Sequence, residues 1–216
     1  TYIEPERIQS VEGGYRGSLL GNRLELTMDV YFSRFEKFIA QVNVIVPKDT
    51  VLDSIPFALN EKSLQTPYRV WTNSTSTVTS MGASFGFNFR LNSNWSLMGN
   101  ATHAKLRNSS RVDGLEDGFN TPEWIFNGGL IAKKLVKNLG GGIHYRWQSR
   151  YYWQSFLVND WVPAFGSLDM HLQYAFSKLP LSLKIAGTNL INWKYYSFGA
   201  GPQVGRMGML TVSYAF

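Results

Sequence analysis

The sequence contains no cysteine, which excludes a disulfide framework and thiolate metal sites. It also lacks any apolar run approaching the ~18 residues that a membrane-spanning helix needs. Stretches rich in helix formers are missing as well. The histidines, His103, His144 and His171, have no metal-ligand spacing, and no metal or other cofactor is expected. There is no Ser-His-Asp grouping, no phosphate-cradling glycine loop and no carboxylate pair spaced for acid–base work, so nothing argues for an enzyme. The formal charge is +6, yet lysine and arginine are scattered between apolar segments and form no basic stripe. That distribution argues against nucleic acid as a partner. No positively charged, apolar leader opens the sequence, which begins at Thr1 without methionine, so a mature or truncated product is expected.

What is present points to strands. The chain has 216 residues, enough for one all-β unit. Its 15% aromatic residues and 20 glycines suit strands, tight bends and interfacial girdles. Segments of about ten residues alternate apolar and polar side chains from one end to the other. In 206–216, Gly208, Leu210, Val212, Tyr214 and Phe216 share one face, and Met209, Thr211, Ser213 and Ala215 the other. The same alternation runs through 168–176, 143–150, 81–91 and 24–33. Further strands are expected at 8–20, 95–106, 123–135 and 181–192, about nine in all by pattern. In 123–135 neither parity gives a clean apolar face.

The connections alternate in length. Short turns are expected at Gly21-Asn22, Asn92-Ser93-Asn94, Val136-Lys137-Asn138 and Ser177 to Pro180, and long loops near 47–71, 107–122, 152–163 and 193–204. Short turns on one side and long loops on the other are how a transmembrane barrel is built. The charged residues Glu25, Asp29, Arg90, Arg146, Asp169 and Lys184 all fall on the polar parity. A Lys or Arg at mid-depth on a lipid face would cost about 2–4 kcal/mol, whereas a watery lumen tolerates it. A soluble sandwich would turn the same apolar parity inward, so parity alone leaves both arrangements open. Large side chains on each strand, with Trp and Tyr near the segment ends, favour the antiparallel transmembrane β-barrel. If 206–216 ends in the periplasm, counting back puts Thr1 on the extracellular side.

Particular motifs carry a family resemblance. The end of the chain, with Val212, Tyr214 and Phe216, resembles the terminal strand by which outer-membrane proteins are recognised for barrel assembly. Residues 3–17, with Pro5, Glu6, Glu12, Gly14 and Tyr15, resemble an element of TonB-dependent receptors. Residues 187–196, with Asn189, Leu190, Asn192 and Tyr195, resemble that family's penultimate-strand motif, and Gly205-Arg206 then opens the last strand. Segment 120–124 resembles the entry to an internal strand of the family, and 162–176 the one before its final hairpin. The resemblance implies an outer-membrane receptor for active uptake of a scarce nutrient such as a siderophore, oligosaccharide or peptide. Its barrel has about 22 strands around a plug, so these residues correspond to the C-terminal strands, without the plug or the earlier strands. Implied partners are the rest of the barrel and its plug, the TonB complex through the plug, the barrel-assembly machinery, a surface lipoprotein, and lipid or lipopolysaccharide. The FRAP and NPNL boxes of haem receptors are not found, which disfavours haem.

At the expected loop tips, Arg150, Tyr151, Tyr152, Trp153 and Trp161, with Lys194, Tyr195 and Tyr196, place cations beside clustered aromatics. Such a cluster could stack on a sugar ring, a catecholate or another flat ligand, or form an interfacial girdle. Asn73-Ser74-Thr75 and Asn108-Ser109-Ser110 read as polar loop residues. A passive porin or small structural barrel is the alternative function, and a soluble binding module a third.

Overall fold

The computed structural model describes residues 2–47, 65–108, 119–155 and 158–215. Every regular element among them is a strand: β1 (Arg7–Leu19), β2 (Leu24–Glu36), β3 (Ile39–Pro47), β4 (Gln65–Asn73), β5 (Val78–Arg90), β6 (Trp95–Asn108), β7 (Trp124–Val136), β8 (Leu139–Gln148), β9 (Tyr151–Gln154), β10 (Asn159–Val162), β11 (Phe165–Ala175), β12 (Leu181–Thr188), β13 (Tyr195–Tyr196), β14 (Gln203–Val204) and β15 (Met207–Tyr214). Nine of them form one sheet in the order β1-β2-β5-β6-β7-β8-β11-β12-β15. All nine expected strands are in it. Among the described residues its edge strands, β1 and β15, do not pair with each other.

The short connections are where side-chain chemistry supports tight reversal. Leu20, Gly21 and Asn22 take φ of 53°, 64° and 64°, the left-handed region that glycine and asparagine tolerate best. Asn92 Oδ1 accepts the N–H groups of Asn94 (2.8 Å) and Trp95 (2.9 Å), closing an Asx turn. Lys137 and Asn138 join β7 to β8, with Asn138 at φ 67°.

Three long connections differ from the expectation of plain loops. Residues 65–71 belong to β4, which pairs with β3, while 48–64 of that loop lie outside the described residues. The 152–163 loop is instead the ribbon β9–β10, and 193–204 contains the ribbon β13–β14. In the 107–122 loop, 109–118 lie outside the described residues. The strand expected over 181–192 stops at Thr188, because Asn189 (φ 51°) and Asn192 (φ 54°) turn the chain.

Register decides the faces. Directly paired residues share a face, and one cross-strand row runs Leu97, Leu130, Ile143, Met170, Gly187 and Gly208. The next apolar row below it runs Ala132, Gly141, Leu172, Ile185 and Leu210. Asn100, Asn127, Arg146 and Ser167 form a row on the opposite face, as do Gln173, Lys184 and Thr211. The ambiguous β7 is thereby resolved: Trp124, Phe126, Gly128, Leu130 and Ala132 lie with the apolar rows, and Asn127 with the polar ones. An irregularity between Ala132 and Val136 ends its even pairing.

The chain forms two compact units, residues 1–9, 33–79 and 106–118, and residues 10–32, 80–105 and 119–216. In the first, Glu6 Oε2 accepts the Ile39 N–H (2.9 Å), and Lys37 pairs with the Glu4 carboxylate. The Asn73 side chain accepts from Glu4 N–H (2.7 Å) and donates to the Glu4 (2.9 Å) and Lys37 (2.8 Å) carbonyls. In the second, large apolar side chains stay open on the long strands, with Ile185 on β12 and Leu210 on β15 each 64% exposed. A soluble sandwich would cover such a face with a second sheet. Its buried apolar residues include Tyr151, Val162 and Phe165, at or beside the β9–β10 ribbon.

Candidate functional site

The β9–β10 ribbon sorts the candidate aromatics by alternation. Tyr152 pairs with Trp161 and Tyr151 with Val162, so adjacent tyrosines point to opposite sides. On one side Tyr151 is only 6% exposed, and its hydroxyl donates to the Ser197 carbonyl (2.8 Å). Burial pushes its phenol pKa above the ordinary tyrosine value, with the Arg146 guanidinium pulling the other way. Trp153 lies at 6.5 Å from Tyr151 and 5.7 Å from Phe198, ring centre to ring centre. Gly199 is needed there, since a Cβ on it would sit 2.3 Å from Trp153 Cδ1. Tyr195 stacks on buried Phe165 at 3.8 Å, with the planes 6° apart. Tyr151 and Trp153 therefore fasten the 193–204 segment to the ribbon, and Tyr195 fastens it to the start of β11.

On the other side Tyr152 and Trp161 are 44% and 54% exposed, with ring centres 5.4 Å apart, edge to face. The Arg150 guanidinium carbon lies 4.8 Å from the Trp161 ring centre. This trio offers an aromatic surface with a cation already stacked on it, an arrangement worth about 0.5–1 kcal/mol at an exposed site. Lys194 and Tyr196 stand exposed on the neighbouring segment, outside the contacts that unite the trio.

Asparagines hold these pieces in place. Asn189 is 1% exposed; its N–H donates to Asp169 Oδ1 (2.8 Å), and its side chain exchanges bonds with the Trp193 backbone (3.0 and 3.1 Å). Asp169 Oδ1 also accepts from Ser167 Oγ (2.7 Å). Asn192 Oδ1 accepts the Arg206 N–H (3.2 Å). Asn120 clamps the Gln154 backbone, donating to its carbonyl (2.9 Å) and accepting its N–H (2.7 Å). The conspicuous asparagines of the 120–124 and 187–196 segments are thus builders of the loop end.

Sequence reasoning missed a second surface. On the polar face a recess of about 490 Å³ is lined by Glu25, Asn88, Asn100, Asn127, Arg146 and Asp169, among others. Asn127 Nδ2 donates to Asn100 Oδ1 (2.8 Å). These residues come from six strands and have no motif spacing; the only available signal was their shared polar parity. His144 and His171 lie on the same face with rings 5.9 Å apart, whereas His103 packs against Trp124 at 4.3 Å. Among the described residues no group of three or more His, Asp or Glu could hold a metal ion. Val212 and Tyr214 are exposed on β15, and Phe216 lies outside the described residues.

Residues 1–190 match the family model described as TonB dependent receptor-like, beta-barrel. No curated protein matches the chain in sequence. The fold is similar to that of the copper transporter OprC (TM-score 0.71, 18% identity), covering 100% of this chain and 32% of that one. It is similar to the pyoverdine outer membrane receptor FpvA from Pseudomonas aeruginosa PAO1 (TM-score 0.69, 17% identity), covering 99% and 30%. It also resembles the FrpB iron transporter from Neisseria meningitidis (TM-score 0.67, 16% identity), covering 97% and 31%. The chain spans less than a third of the length of each of these structures.

Proposed function

The chain belongs to the TonB-dependent receptor-like β-barrel family, whose members are outer-membrane transporters and not enzymes, and from that premise we propose that it supplies the C-terminal wall and extracellular rim of an active-uptake receptor. The observation that carries this reading is the in-register division of the sheet into an apolar face and a polar face bearing the Glu25–Asn127–Arg146 recess. The apolar face meets lipid, and the polar face lines the lumen. Arg150, Tyr152 and Trp161 receive the substrate, a scarce nutrient with a flat or ring-shaped portion such as a siderophore, oligosaccharide or peptide. Lys194 and Tyr196 add to the rim beside them.

In the complete receptor the remaining strands close the barrel around a plug, and TonB acts through that plug to release the substrate inward. Val212 and Tyr214 serve the assembly machinery from the last strand, and a surface lipoprotein would cap the rim. The sheet's unpaired edges favour this reading over a self-contained porin, which needs its first and last strands to pair.

The test is uptake by cells carrying the complete receptor, using an iron-loaded catecholate siderophore, a maltooligosaccharide and a short peptide as probes. Uptake of one probe should require TonB and the proton gradient, and should fall several-fold in the Arg150→Ala/Trp161→Ala double variant at unchanged surface level. Flux that persists without TonB would establish the passive porin instead.

A further inference from the structure

The apolar face is not uniformly filled. One cross-strand row runs Gly99, Gly128, Tyr145 and Leu168, so two adjacent strands present glycine side by side. The two glycines are not equivalent. Phe87 lies over Gly99, where a Cβ would meet its Cε1 at 2.7 Å. Tyr145 leans the other way, its hydroxyl 2.5 Å from where a Cβ on Gly166 would be. Gly128 is left open, with nothing nearer to a Cβ there than the Met98 carbonyl at 4.0 Å. Around it opens a groove of about 570 Å³ whose walls include Phe87, Leu97, Phe126, Leu130, Ile143 and Tyr145.

We infer that this groove seats one acyl chain of an outer-leaflet lipid. The groove is continuous with the lipid-facing rows of the sheet, so bilayer hydrocarbon is what meets it. Its walls are almost wholly apolar side chains, which suits an occupant with no hydrogen-bonding groups. A peptide segment laid there would leave backbone groups unpaired, at several kcal/mol each in a membrane. Depth selects the leaflet: Gly128 is four residues from Trp124 at the long-loop end of β7 and eight from Val136 at its short-turn end. In outer-membrane barrels the long loops face outside. Trp124 and Phe126, stacked at 5.7 Å, and Trp147 beside Phe126 at 5.6 Å mark the interface above the groove. Lys105, two residues beyond His103 on the same parity, is already paired with Glu123 (2.9 Å), so the groove recognises the chain and not the headgroup.

The test uses the complete receptor reconstituted with a phospholipid carrying a photoactivatable diazirine midway along one acyl chain. Labelling should concentrate on Leu97, Phe126 and Leu130, several-fold above Leu172 and Ile185 on the same face. Gly128→Leu, whose Cβ would meet nothing nearer than 4.0 Å and whose side chain would occupy the groove, should remove that excess. Gly208→Leu, at another open glycine of the same face, should leave it intact. Heat-modifiable migration on gels establishes that each variant has folded. Even labelling across the face, an excess that survives Gly128→Leu, or exclusion of label by a cross-linked protein neighbour would each overturn the assignment. Absence of label from the entire apolar face would overturn the membrane orientation itself.

Discussion

The spanning strands and the ribbon end use the same residue types for opposite arrangements. On β12 and β15 Ile185 and Leu210 are left 64% exposed, while Val162 and Phe165 at the ribbon end are 2% and 3% exposed. The difference follows from the surroundings. Strands in a bilayer take hydrocarbon as their apolar partner and need no second layer. In the proposed orientation the ribbons stand in water beyond the membrane, so Phe165 must bury against Tyr195, and Tyr151 beside Trp153, or remain unfixed.

That contrast can be broken most severely at Phe165. Phe165→Ala removes a buried ring and the stack with Tyr195, and should loosen the 193–204 segment by about 3–5 kcal/mol. Hydrogen exchange and limited proteolysis of the receptor should register faster opening there, with β12 and β15 unchanged. An effect spread over the whole sheet would mean that the two regions do not fold separately.

A charge placed on the lipid face tests the other side. Ile185→Arg should cost about 2–4 kcal/mol in reversible folding into lipid vesicles, whereas Gln173→Arg on the polar face should cost close to nothing. Equal costs would contradict the assignment of faces.

The smallest expected effect is at Tyr151. Tyr151→Phe loses the hydrogen bond to Ser197 and should weaken docking of the loop by about 0.5–1.5 kcal/mol. Because burial raises the phenol pKa, the docked state disfavours the phenolate. Docking is therefore unaffected below the ordinary tyrosine pKa and weakens as pH rises from that value through the raised one. Hydrogen exchange of 193–204 across alkaline pH should show this for the native chain and lose it in Tyr151→Phe.

Much of the fold was legible because strand alternation and turn chemistry are local. Leu210, Val212 and Tyr214 declare their shared face within one segment. Gly21, Asn22 and Asn138 are residues suited to the positive φ their turns require. The ribbons were not legible, since β13 and β14 are two residues each, too short to show a period. Within the candidate site, Tyr151 and Tyr152 are the same residue type at adjacent positions. Nothing local indicates which is buried, because Tyr151 finds its partner Ser197 at a sequence separation of 46.

The sequence by itself determined an all-β antiparallel chain with short turns at one end, long connections at the other, and the charges of its best-patterned strands kept to one parity. Those properties depend on periodicity, backbone preference and the cost of charge in hydrocarbon, all of which act residue by residue. Tertiary structure alone decided the face assignment of β7, the assembly of Asn100, Asn127 and Arg146 into one recess, and the open groove at Gly128. Each depends on which residue a neighbouring strand sets alongside, and strand register is a property of pairs that no single segment contains.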